Sequence, residues 1–222
     1  VGLGRRVVES SEFSQHANLW MLRCDVSQNE QVFEVVNKVV SAWGRIDLVI
    51  ANAGISEASP SDQPFSSVYE AVLNTNVIGA VYLFDAVIPT LMKQKCGHLV
   101  SISSLAAYRG LPQAGAYSAS KAALTALTES MRIDLKPYSI DVSVIHPGWI
   151  DTPLTRRNAY PMPFKLSLDE GVDRIVNAIE QKKDWVSFPW PLVLAVNLLK
   201  IFPAWLYDSL IGKRKNKKRS SL

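Results

Sequence analysis

The sequence predicts an α/β fold: a doubly wound parallel sheet with helices on both faces, three layers within a single domain. Three observations carry this. Short apolar runs that read as strands recur at 46–51, 98–102 and 141–145. Between them lie longer stretches with apolar residues at helical spacing, and strands alternating with helices argue a parallel sheet covered on both sides. The chain has 222 residues, 48% hydrophobic and 20% charged, enough for one globular domain with a sizeable core.

The elements follow in order. From 30 to 43, Val32, Phe33, Val36 and Val40 recur at helical spacing. Leu48-Val49-Ile50-Ala51 is an apolar strand running into Asn52-Ala53-Gly54, a turn signal. A helix is expected at 67–89. His98-Leu99-Val100-Ser101-Ile102 reads as a strand, and Gly110, Pro112 and Gly115 mark a loop after it. A helix follows at 117–135, then the strand 141–145. No internal repeat or low-complexity segment precedes the C-terminal tail.

Chemistry concentrates in Tyr117-Ser118-Ala119-Ser120-Lys121. On a helix, residues at this spacing share a face, so a phenol and an ammonium stand together. A cation beside a tyrosine favours the phenolate and lowers its pKa from about 10. A tyrosine tuned in this way exchanges a proton at neutral pH. Ser103 and Ser104 lie at the C-terminal end of the preceding strand, where α/β proteins place their ligands. In isolation each of these residues has a plain reading: a packed ring, a solvated amine, a turn serine.

Taken together and in order, these motifs resemble the short-chain dehydrogenase/reductase family. The family's serine stands thirteen positions before its tyrosine, which here is Ser104, with Ser103 as a structural neighbour. Asn52-Ala53-Gly54 is similar to the family's turn after its fourth strand. Asn74-Thr75-Asn76-Val77-Ile78-Gly79 matches its Asn-x-x-Gly helix segment and places the fourth catalytic residue at Asn76. Pro147-Gly148-Trp149-Ile150-Asp151-Thr152 matches the run after its sixth strand, and Cys24-Asp25-Val26 the Asp-Val along the adenine ring. The resemblance covers roughly residues 1–152 and implies a Rossmann-like fold.

The family opens with a strand and a glycine-rich loop whose amides hold the pyrophosphate. Val1-Gly2-Leu3-Gly4 lacks that loop's spacing and aligns better with the family's second strand, ending in Arg5-Arg6. On that alignment about thirty residues of the family pattern, namely strand one, the loop and the first helix, are absent before Val1, so the chain is expected to be a piece of a longer protein; the alternative is a natural protein without the loop, which would bind dinucleotide poorly. Gly4 stands where NAD-binding members carry an acidic residue, and Arg5 and Arg6 follow it. Guanidinium groups suit a 2′-phosphate, which favours NADP(H) over NAD(H).

By the same resemblance, Ser104 bonds the substrate oxygen, Tyr117 transfers the proton, and Lys121 supports Tyr117 and bonds the nicotinamide ribose. Asn76 positions a relay water. The remaining cofactor-binding set is Arg5, Arg6, Asp25, Val26, Asn52, Ala53, Gly54, Pro147, Gly148, Ile150 and Thr152, with Ile150 and Thr152 holding the carboxamide. The implied activity is interconversion of an alcohol and a ketone or aldehyde. Leu154, Tyr160, Met162, Phe164, Leu105, Tyr108 and Leu111 are expected to close the cleft, and their apolar character points to a small hydrophobic substrate. The helices at 80–93 and 117–135 match those that form a homodimer or homotetramer in the family. A non-catalytic binding protein of the same fold, a membrane-surface interaction protein whose function lies after Phe188, an epimerase and a dehydratase are rival readings.

Two cysteines, Cys24 and Cys96, make no disulfide framework, which suits a reducing, cytoplasmic compartment. Neither they nor the three histidines (His16, His98 and His146) have metal-ligand spacing, so no metal site is expected. The net charge is +4, but 213–219 holds six basic residues, and the chain without them is net −2. The basic charge therefore belongs to a tail (212–222) and not to a nucleic-acid-binding face. The preceding segment, 188–211, is apolar and aromatic but interrupted by Pro189, Pro191 and Pro203. It is too broken for a spanning helix of about 20 continuous apolar residues. It reads as a cap over the cleft of the catalytic unit (1–187), as a dimer surface, or as a contact with a membrane surface.

Overall fold

The computed structural model describes residues 1–5, 19–157 and 161–219. In chain order the elements are β1 (Gly2–Gly4), β2 (Met21–Arg23), α1 (Asn29–Trp43), β3 (Leu48–Ala51), α2 (Ser66–Leu73), α3 (Gly79–Gln94) and β4 (Gly97–Ile102). Then come α4 (Gly115–Leu135), β5 (Ile140–Pro147), α5 (Leu168–Glu180), β6 (Trp185–Phe188), α6 (Trp190–Ile201) and α7 (Ala204–Arg219). Every strand pair is parallel, with registers such as Leu99↔Val142 and Pro147↔Phe188.

The strands alternate with helices as the sequence predicts, but they form two sheets, β1-β2 and β3-β4-β5-β6. Among the described residues no strand pairs with the outer edge of β3. Leu48 and Ile50 there are 43% and 42% exposed, although their neighbours Val49 and Ala51 are buried.

Successive strand residues point to opposite faces, and the core divides accordingly. Leu99 belongs to a cluster with Val32, Val35 and Val36 of α1, Phe84, Val87 and Leu91 of α3, and Leu124 of α4. Val100, the next residue, packs with Ile145, Phe188 and Ala178 of α5 on the other face. These two clusters make the three layers.

Local sequence explains the helices. In α1, Val32, Val35, Val36 and Val39 recur along one face and are buried. Gly44, at φ 74°, ends the helix with its N–H on the Val40 carbonyl. The expected helix at 67–89 is interrupted: a π-helical turn at Asn74–Ile78 separates α2 from α3. Such a turn swells the helix locally, and this one holds Asn76 in the interior at 1% exposure. The run Ser66–Gln94 is long and apolar enough to cross a membrane by length and composition. In this fold, however, its Val72, Phe84, Val87 and Leu91 are buried.

Both α5 and β6 lie beyond the predicted elements. The start of α5 carries a capping box, in which Ser167 Oγ accepts from Glu170 N and the Glu170 carboxylate accepts from Ser167 N. The last helix, α7, runs from Ala204 to Arg219. Because all strands are parallel, the C-terminal ends of β3, β4, β5 and β6 open on one side. Asn52, Ser104 and Gly148 are delivered there together.

Leu99 is fully buried at the centre of the larger cluster. Leu99→Ala is expected to destabilise the fold by about 2–5 kcal/mol through lost transfer energy and the cavity left behind. A lower urea midpoint at unchanged slope is the signature.

Candidate active site

The strand β4 ends at Ile102, and the two serines after it diverge. Ser103 is buried, donates from Oγ to the Lys121 carbonyl (3.0 Å) and meets Thr125 Oγ1 (2.8 Å), fastening the strand end to α4. Ser104 turns to the open side. Its Oγ accepts from Ala106 N (3.1 Å), donates to the Pro147 carbonyl (3.5 Å) and lines a cavity of about 140 Å³. Tyr117, half-buried in the first turn of α4, lines the same cavity.

One turn further along α4, Lys121 is 4% exposed. Its Nζ donates to the Ile102 carbonyl (2.7 Å) and sits 5.8 Å from the centre of the Tyr117 ring. Burial pushes the ammonium down from 10.5 to about 8. Asn76 approaches from the π-helical turn. Its Oδ1 accepts from Ile55 N (2.8 Å), and its Nδ2 donates to the Ile55 carbonyl (2.9 Å) and to Ser120 Oγ (3.0 Å). Ser120 in turn donates to the Tyr117 carbonyl (2.8 Å). A Cβ on Gly54 would lie 3.4 Å from Asn76 Oδ1 and 3.6 Å from Lys121 Nζ, so bare backbone lets this turn approach both groups. The four predicted catalytic residues are thus neighbours along one path: Asn76 and Lys121 flank Gly54, Lys121 backs the Tyr117 ring, and Tyr117 shares a cavity with Ser104.

The predicted cofactor residues fall into separate groups. Val26, Asn52 and Ala53 line a cleft of about 550 Å³ between β1 and β3. Asp25 is held in its own turn, its Oδ1 accepting from Ser27 N (3.1 Å) and Ser27 Oγ (2.8 Å). Arg5 is exposed just beyond β1 and outside the cleft lining, while Arg6 lies outside the described residues. Pro147 ends β5, and Gly148 lines the cavity shared by Ser104 and Tyr117, where a Cβ would strike Leu192 Cδ2 at 2.7 Å. Ile150 turns inward against Gly171 of α5. Thr152 N donates to Thr155 Oγ1 (3.0 Å), which itself donates to the Ile150 carbonyl (2.5 Å), so Thr155 engages the backbone of both residues. Uncovered backbone at Gly54 and a buried ammonium suit an anionic ligand, whereas the cleft between β1 and β3 is walled mostly by apolar residues such as Val35, Val39, Leu83 and Val87.

The cavity walls include Leu105, Leu111 and Leu154, as expected, but also Leu192, Val196 and Leu199 of α6 and Tyr207 of α7. Tyr108, expected at the cleft, turns away: its OH meets Ser187 Oγ (2.8 Å) and accepts from Trp185 Nε1 (3.3 Å), because β6 offers it partners. Phe164 is 55% exposed and Met162 is outside the lining; Tyr160 lies outside the described residues. Arg109, which sequence reasoning missed, fastens the cap. It donates to the carbonyls of Leu199, Lys200 (3.3 Å) and Phe202 (2.9 Å), and its guanidinium lies 4.0 Å from the Tyr207 ring centre. The Tyr207 OH donates to the Gly110 carbonyl (2.5 Å). No local motif signals this long-range clasp.

Comparison with known proteins identifies the family and agrees with the fold. Residues 4–162 match the model of the short chain dehydrogenase family. An uncharacterized oxidoreductase of Myxococcus xanthus (strain DK1622) is 37% identical over 186 residues, 83% of this chain and 73% of that protein. The NADP-bound structure of ElxO is 25% identical with a TM-score of 0.72, covering 79% of each chain. NAD+-bound xylitol dehydrogenase is 28% identical with a TM-score of 0.67, covering 76% of each chain. The chain belongs to the short-chain dehydrogenase family of oxidoreductases.

Behind the site, His146 is fully buried, stacked on Trp185 (4.3 Å) and bonded through Nε2 to Thr125 Oγ1 (3.0 Å). Burial holds its pKa down at about 4. The unfolded chain therefore binds this proton first on acidification, and stability falls as pH drops below about 6.5. His146 alone is expected to cost about 2 kcal/mol between pH 7 and pH 5, read from urea midpoints, and His146→Gln should flatten that slope.

Proposed function

We propose that the protein is an NADP(H)-dependent oxidoreductase that interconverts a small apolar alcohol and the corresponding ketone or aldehyde. The observation that carries this is the pairing of the Ser104 and Tyr117 side chains on one largely apolar cavity, with the Lys121 ammonium buried behind Tyr117. When bound, the nicotinamide supplies hydride donation or acceptance at the substrate carbon. Ser104 Oγ holds the substrate oxygen and stabilises charge developing there. In reduction, Tyr117 gives its phenolic proton to that oxygen, and in oxidation it takes the proton back. Lys121 stabilises the phenolate that remains and donates to the nicotinamide ribose. Asn76, bonded to Ile55 and Ser120, holds the turn at Gly54 against α4 and orders water beside Lys121.

The choice of NADP(H) rests on Arg5, a guanidinium just beyond β1, and on Gly4 leaving no carboxylate to repel a 2′-phosphate. Substrate class rests on the walls: Leu105, Leu111, Leu154, Leu192, Val196 and Leu199 favour hydrocarbon around the reacting carbon. We assign α3 and α4 as the face of a homodimer on family resemblance, a surface on which Ile133 is 70% exposed.

Tyr117→Phe should lower kcat for reduction of an apolar ketone by about 10²–10⁴-fold while NADPH affinity stays within about twofold. Full turnover in that variant would remove Tyr117 from its role. The Lys121 ammonium is present below about pH 8 and lost above it. The kcat/KM for NADPH is therefore expected to fall on the alkaline side with an apparent pKa near 8, and Lys121→Arg should shift that limb upward if the side chain is tolerated. An alkaline limb unmoved by Lys121→Arg would assign the titration elsewhere.

A further inference from the structure

The helix α6 is apolar on opposite faces. Leu192, Val196 and Leu199 follow one face and line the catalytic cavity. Trp190, Leu194, Leu198 and Ile201 follow the other and are 75%, 55%, 47% and 76% exposed. Trp205, just across the turn into α7, is 71% exposed. A helix that is apolar all round is normally buried or in contact with lipid, and contiguous exposed apolar surface marks an interaction site. With 12 residues, α6 is far too short to cross a bilayer.

The charge that follows says what covers this face. Residues 213–219 contribute six Lys and Arg to the last turns of α7, and no acidic residue follows Asp208. Six basic residues within seven positions make the chain strongly positive directly after the exposed apolar stripe of α6 and Trp205. A second copy on the same stripe would bring two such runs together, which like-charge repulsion opposes. An anionic bilayer complements both features, with apolar side chains at the acyl boundary, tryptophans at headgroup depth and Lys and Arg against the headgroups.

We propose that the outer face of α6 and the adjoining α7 form a docking surface for an anionic membrane. Arg109, bonded to the α6 C-terminal carbonyls, fixes this surface to the catalytic loop. Because the inner face of α6 walls the cavity, a docked protein draws substrate from the lipid side, so its alcohol or ketone is a membrane-dissolved molecule. That consequence rests on the reductase reading, whereas docking itself does not.

The test sediments the full chain with vesicles of phosphatidylcholine containing about one quarter phosphatidylserine, and with phosphatidylcholine alone. Binding at least about tenfold stronger to the anionic vesicles is expected. It should weaken by a similar factor in Leu194→Ser/Leu198→Ser, and again when Lys213, Arg214, Lys217 and Lys218 become Gln. All these positions lie outside the catalytic cavity lining. Equal sedimentation with both vesicles, or parent-like binding by the stripe variant, overturns the proposal. A parent that self-associates through the stripe and ignores vesicles also overturns it and gives the face to a second copy. NADPH binding and ketone reduction measured without vesicles separate the two readings. Turnover without vesicle binding removes only the docking surface, and vesicle binding without NADPH binding removes only the reductase.

Discussion

The buried ammonium of Lys121 is the constraint around which the candidate active site is built. Holding it near pH 8 instead of 10.5 costs about 3 kcal/mol of folding stability at neutral pH. The cost is present below about pH 8 and relieved as pH rises toward 10.5, since there the unfolded chain carries the proton and the folded chain does not. The surroundings answer that cost with fixed dipoles. The Ile102 carbonyl at the end of β4 accepts from Nζ, and the strand end is itself held to α4 by Ser103 and Thr125. A perturbed charge kept in a confined site beside the Tyr117 ring is the kind of arrangement that clusters at functional sites.

From that anchor the polar network spreads in two directions. Toward the cleft, Asn76 clamps Ile55 to Ser120 and leaves Gly54 in contact range of the ammonium. This needs the π-helical turn, because a regular helix would rotate residue 76 relative to its neighbours. Toward the core, Thr125 reaches His146, whose ring is stacked on Trp185 of β6 and kept neutral by burial. Site and core are therefore continuous, and the sheet, α4 and the turn at Gly54 hold one another in place.

The cap depends on a different kind of contact. Arg109 sits on the loop that follows Ser104 and ends α6 by satisfying its terminal carbonyls, with Tyr207 closing over the guanidinium. Gly148 lets Leu192 approach the end of β5. In this way the apolar wall of the cavity and the exposed stripe on the reverse of α6 become one rigid element, so what touches the outside of the helix bears on access to the inside.

Local chemistry made much of this visible in the sequence. The valine periodicity of α1, the apolar strands β3 to β5 and the helix carrying Tyr117 and Lys121 are decided by side chains within a few residues of one another, and so is their order. The spacing of Ser104, Tyr117 and Lys121 pointed to one site for the same reason: strand end, loop and helix turn follow directly. Other features needed the tertiary structure. The split between β2 and β3 depends on strand pairing, Ile150 turns inward because Gly171 leaves room for it, and Tyr108 leaves the cleft because Ser187 and Trp185 stand beside it. The capping box of α5 is likewise encoded locally, at Ser167 and Glu170. The sequence by itself determined the layered fold and the chemical groups of the site. Only the tertiary structure decided which hydrophobic residues wall the cavity, because contacts such as Arg109 to Leu199 span ninety positions that no local pattern connects.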